Sequence, residues 1–385
     1  MTDIDYSSAI RQEIENRGLL VSRDVALRAA LRNFLDVTVT SNRDQTDVFL
    51  LPQIEILLRA LVYSEFALPD TFAALERSID QQRDRILFNN SSCFLAASTS
   101  AKPNKDLAYR TITDVASYIG NYANRAVFVQ STKLPPEDHG AAFTERDRLL
   151  ALSFHDFTPS DLDLFSTPLW LGTAVPNLDN RNEVIFAKYL SHDTYEFWRE
   201  WYQGFLDGKP LDWELQRRVA LIGDAIWEAG PEAVAAEIER IRSLFELEQE
   251  ITNLKGQLTA VQNTPAAALI GDNGGPPLED APARAFQTDL ALIWKQIEEL
   301  EEEIAKPSPS LSHLEKIAKA LWDISLRMAA YCGSIADGMI REGSKELAKA
   351  TAKWTAGAIA VTVTAQTESV QSVAKAIGAF VKTLQ

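Results

Sequence analysis

From Pro231 to the C-terminus, apolar residues recur at alternating intervals of three and four. No other feature restricts the fold of this chain as strongly. Leu244, Leu247, Ile251, Leu254, Leu258 and Val261 follow the pattern, after Val234, Ile238 and Ile241. Phe286, Leu290, Ile293, Ile297, Leu300 and Ile304 repeat it, and so do Leu314, Ile317, Leu321, Ile324, Met328, Tyr331 and Ile335. A last run holds Ile359, Val363, Gln366, Val370, Val373, Ile377, Phe380 and Leu384. Such spacing keeps one narrow apolar stripe on a helix, and that stripe is satisfied only against other helices. The spacing predicts an elongated four-helix, coiled-coil-like bundle over residues 231–385, interrupted by a Gly/Pro loop at 264–282 and broken again at Pro307, Pro309 and Gly343. Seams shared between copies of the chain are the competing solution, so self-association is expected alongside the bundle.

Upstream, residues 1–140 read as a multi-helix domain, which makes the whole chain all-α. Ile10 and Ile14 share a face that Gly18 ends, and Ser22 reads as the N-cap of a helix carrying Val25, Leu27, Ala30, Leu31, Phe34 and Leu35. Pro52 reads as the start of a third helix and Pro69 as the first turn of a fourth, bearing Phe72, Leu75, Ile79 and Arg83. Asn89–Ser92 and Ser98–Asn104 have loop compositions. Tyr109, Ile112, Val115, Ile119 and Tyr122 mark a further helical face, whereas Val37–Thr40 and Ala126–Val129 are short strand candidates.

Residues 141–230 form a Trp-rich segment: all 8 Trp of the chain lie at Trp170 or later. Trp198, Trp201, Tyr202 and Phe205 follow i, i+3, i+4, i+7, one stripe of a helix that Gly208-Lys209-Pro210 ends, and a second helix is expected from Leu211 to Glu228. Such a stripe serves as an aromatic core or interface, or lines a ligand pocket. The run Tyr195–Tyr202, followed by Gly208–Trp213 and Ile226–Pro231, resembles a recurring, mainly alphaproteobacterial protein family to which no activity is assigned. The loop Ile270–Pro277 resembles a variant of that family's Asn-Asn-Pro-Pro signature, departing from it at Gly274-Gly275. The resemblance covers about a quarter of the chain and implies organisation without chemistry.

The formal net charge of −16 disfavours nucleic acid as a partner, because phosphate backbones attract basic faces. The acidic start Met1–Asp5 has no secretory apolar region, and no stretch of about 18 uncharged apolar residues occurs. The chain therefore reads as cytoplasmic, with Cys93 and Cys332 as reduced, buried thiols. No nucleophile elbow, phosphate loop or dinucleotide fingerprint is present, and no catalytic, cofactor or metal set is expected. His139, His155 and Asp156 are the residues on which a metal-dependent hydrolase reading would rest. The last helix is more suggestive. Residues 344–385 hold five Lys against two Glu, and the apolar set Trp354, Ile359, Val363, Val370, Val373, Ile377 and Phe380 is accompanied by Lys375 and Lys382. That amphipathic, basic pattern suits a protein partner or an anionic membrane surface, and equally the acid excess of the two preceding bundle helices. Three functions fit these features: a non-enzymatic, partner-binding scaffold that self-associates; a membrane-active, pore-forming-like effector that releases its C-terminal helix; and the metal-dependent hydrolase.

Overall fold

The computed structural model describes residues 5–33, 43–82, 91–102, 104–114, 150–157, 164–170, 190, 192–262, 281–342 and 367–385. The fold is all-α, with no strand among the described residues. The chain divides into two compact units, Met1–Ile238 and Glu239–Gln385. The Trp-rich segment belongs to the first unit together with the N-terminal helices, and the division falls within the long helix that begins at Pro231.

In the first unit, α1 (Tyr6–Arg17) is capped by Asp5, whose carboxylate accepts from the Ser7 and Ser8 amides, and it ends at Gly18 with φ 86°. Helix α2 (Leu19–Asn33) starts directly afterwards. Ser22 is therefore not an N-cap; its hydroxyl donates to the Gly18 carbonyl from inside the first turn. Helix α3 (Arg43–Phe66) runs through Pro52 instead of starting there. Every residue from Gln53 to Val62 is buried, so packing on all sides holds the helix together across the proline. Helix α4 (Pro69–Gln82) opens on its proline as the sequence predicts. Helix α5 (Ser91–Ala101) takes in at its two ends parts of both stretches whose composition reads as loop, Asn89–Ser92 and Ser98–Asn104. Its small side chains allow close contact with α2 and α3, and its hydroxyls bond to main-chain carbonyls: Thr99 to Leu95 and Ser100 to Ala60 of α3. Helices α6 (105–114) and α7 (150–155) join α1 and α2 around Ile10, Ile14, Val25, Ala29, Ile112 and Phe157.

Helix α8 (Glu196–Asp207) ends at Gly208 in the left-handed conformation. The single helix expected from Leu211 to Glu228 is instead two, α9 (Trp213–Ala220) and α10 (Asp224–Glu228). The break follows from Gly223, whose extended backbone (ψ 142°) cannot continue a helix. Both α9 and α10 pack on α3, the central helix of the unit.

The second unit is built from the continuation of α11 (Pro231–Gln262), α12 (Ala281–Ile304), α13 (Leu311–Glu342) and α14 (367–383). Leu247, Ile251, Leu254 and Leu258 of α11 share one core with Ile293, Ile297 and Leu300 of α12. Leu314 to Met328 of α13 and Val370 to Phe380 of α14 complete it, so each seam is closed by the other three. Helices α12 and α13 are antiparallel: Asp289 pairs with Arg327, while Glu303, one helix end further on, bonds to the Ser310 amide. The strand candidates Val37–Thr40 and Ala126–Val129 lie outside the described residues, as does loop 264–282 up to its last two residues, which open α12.

Candidate functional site

The aromatic stripe of α8 is the centre of an interior cluster. Trp198, Trp201, Tyr202 and Phe205 are at most 1% exposed. Trp201 meets Trp198 and Phe205 edge-on, at centroid distances of 5.8 and 5.3 Å, and Phe205 continues to Trp213 and Phe165 at 6.2 Å each. These edge-to-face contacts add about 0.5–1.5 kcal/mol apiece to the burial of the rings. Two indole N–H groups are satisfied locally. The Trp201 indole donates to Gln216 Oε1 (2.9 Å), and Gln216 Nε2 in turn donates to the Leu211 carbonyl (2.7 Å), while the Trp227 indole donates to the Ile222 carbonyl. The four residues singled out in the sequence are thus all buried inside the first unit, with Trp198, Trp201 and Phe205 packed edge to face.

Two sets of buried charges flank this cluster. On α2, Arg28 Nε donates to Asp156 Oδ1 (3.0 Å), and its other nitrogens reach the carbonyls of Leu164, Thr167 and Pro168. Arg32 grips the same carboxylate through both oxygens, at 2.6 and 3.0 Å, and donates to the Leu169 carbonyl. All three side chains are at most 2% exposed. On α3, Arg59 donates to the carbonyls of Ala74, Ala220 and Ile222, to Ser78 Oγ and to Asp224, and it pairs with Glu55 at 2.8 Å. Arg77 closes on the second Asp224 oxygen. Burial pushes the Glu55 carboxyl above its ordinary range against the pull of Arg59 and Ser78. Burial also pushes Asp224 upward, but hydrogen bonds and charge from Arg59 and Arg77 outweigh it and hold Asp224 low. Isolated buried charges cost several kcal/mol each, and a guanidinium with a full set of acceptors offsets that cost. In physical terms these groups are clamps: each ties a helix to main-chain carbonyls more than a hundred positions away.

The hydrolase residues do not converge. Asp156 is buried between two guanidinium groups, which repel a cation, whereas the neighbouring His155 is exposed. His139 lies outside the described residues, and among the described residues no three His, Cys, Asp or Glu are placed to hold a metal ion.

In the second unit Val370, Val373, Ile377 and Phe380 are buried in the bundle core, while Lys375 and Lys382 are exposed on the opposite side of α14. Trp354, Ile359 and Val363 lie outside the described residues. No described helix is long and apolar enough to cross a membrane. Sequence reasoning missed Glu303, which is 1% exposed at the end of α12. Its carboxylate accepts from Lys306 Nζ (2.6 Å), from the Ser310 amide (2.6 Å) and from His313 Nδ1 (3.0 Å), fixing the turn into α13. The Lys306 bond first, and then the Ser310 amide, lower its pKa from 4.5 to about 2. An acid seven residues before Ser310 and ten before His313, astride two prolines, is the only sequence trace of this site. Compared with protein-family models, curated proteins and solved structures, the chain matches none.

Proposed function

We propose that the protein acts by binding, as a non-enzymatic helical scaffold that self-associates. The observation that carries this reading is where the large apolar side chains remain exposed. The inward faces of the helices close on themselves, in the shared core of the second unit and around the aromatic cluster and guanidinium clamps of the first. Yet Leu20 remains 63% exposed on α2, and Leu326 and Trp322 remain 52% and 36% exposed on α13. Apolar groups on helices whose cores are already complete suit contact with another protein surface. Sedimentation equilibrium across a wide concentration range tests the reading. A mass that rises from one chain toward two is the expected result, and a single-chain mass at every concentration would sink it.

The apolar face of α14 is closed into the core, so α14 would have to leave the bundle before meeting lipid. Dye release from anionic vesicles by the intact chain, abolished by removing residues 367–385, would replace the scaffold reading with the effector.

A further inference from the structure

Helix α13 carries two seams. The inner one, Leu314, Ile317, Leu321, Ile324 and Met328, is buried in the bundle core. On its outer face Glu315, Lys319, Trp322, Leu326 and Ala329 follow the same alternation at intervals of 4, 3, 4 and 3, and all five are exposed. Three of them are apolar, and Trp322 and Leu326 are adjacent on the helix surface as an i, i+4 pair. One core does not require a second seam, which is the pattern of a helix with partners on both sides.

The charges beside the outer seam indicate the occupant. Lys319 and Asp323 are both exposed and lie symmetrically about Leu321, two positions to either side. When two copies of α13 cross antiparallel on a two-fold axis near Leu321, Lys319 of each falls opposite Asp323 of the other. The two Trp322 rings then meet near the axis, and Leu326 lies on the aliphatic stem of the opposing Lys319. A parallel arrangement would set Lys319 against Lys319 and Asp323 against Asp323. We propose that this outer face of α13 is an isologous, antiparallel interface with a second copy of the chain. The inference rests on the self-association proposed above and names the surface through which it occurs. Residues 315–329 span about 21 Å of helix at 1.5 Å per residue, which sets a small interface.

The test is a sedimentation series on the full chain. Trp322→Ala with Leu326→Ala is expected to weaken the dimer at least about tenfold, since a two-fold axis counts each truncation twice and buried Trp dominates such contacts. Lys319→Asp and Asp323→Lys are each expected to weaken it as well, and an equimolar mixture of those two variants to recover wild-type association as a heterodimer. That recovery cannot come from a pairing within one helix, because each variant alone carries like charges at both positions. Circular dichroism on every variant checks that helix content is retained, and the exposed charge variants keep the test valid if the double alanine variant fails to fold. A wild-type dimer indifferent to the alanine pair, or a variant mixture that stays as weak as its components, overturns this inference while leaving self-association standing. A monomeric wild-type overturns both.

Discussion

At Asp156 a single carboxylate holds two buried guanidinium groups, from Arg28 and Arg32. Asp156→Asn keeps the shape and removes the charge, leaving the two cations facing each other in the interior. The expected loss is about 3–5 kcal/mol, read as a lower denaturant midpoint, with the helical signal of the native baseline retained. The arginines were not legible as structural groups, since a guanidinium beside apolar residues is more often solvated. The trace was positional: Arg28 and Arg32 share a face of α2 with Val25, and Arg59 lies in a stretch of α3 that is otherwise nearly continuous in apolar residues. Glu303 allows a test by pH. Its carboxyl falls from 4.5 to about 2 on folding, so its contribution is complete above pH 4.5 and disappears as the pH falls toward 2. Glu303→Gln should therefore be less stable than wild type at neutral pH, with the difference closing between about pH 4.5 and 2 in parallel urea titrations.

Among the elements, the junction after α8 is the least tolerant. Gly208 has φ 67°, and a Cβ there would lie 2.5 Å from the Pro168 nitrogen and 2.6 Å from the Thr167 carbonyl carbon. Gly208→Ala is expected to cost about 2–4 kcal/mol, from the left-handed backbone and the displaced 167–169 segment together. Loss of the near-ultraviolet Trp signal before the helical signal would locate the damage in the aromatic cluster. Element boundaries were legible where one interaction decides them, as at Gly18, Pro69, Gly208 and Pro231. They were misread where burial overrode local preference. Pro52 sits within α3 because its neighbours are buried all round, and α5 forms from Ser and Ala because close packing favours small side chains there. Among the described residues, the inner seams of α11 to α14 were read almost residue for residue, because a stripe so narrow has one way to be buried.

Across the whole molecule, the two compact units have separate cores. Calorimetry is expected to resolve two transitions, because one ΔG does not describe two cores. Arg59→Ala should lower one of them, at a cost of about 3–5 kcal/mol. Leu321→Ala should lower the other by about 2–5 kcal/mol, while the adjacent Trp322→Ala leaves both nearly unmoved below the dimer concentration. Coincident shifts of both transitions in either core variant would refute the separation.

The Arg59 clamp also has a consequence in time. Its carbonyl and carboxylate partners on the segment 220–224 lie up to 165 positions downstream. At a ribosomal rate of about 5–20 residues per second, Arg59 emerges roughly ten to thirty seconds before they do. Throughout that interval Arg59 has Glu55, Ala74 and Ser78 within reach but lacks its acceptors at Ala220, Ile222 and Asp224, so its set of partners is incomplete. The packing around α3 is therefore completed only when the segment 220–224 arrives, late in the synthesis of the first unit.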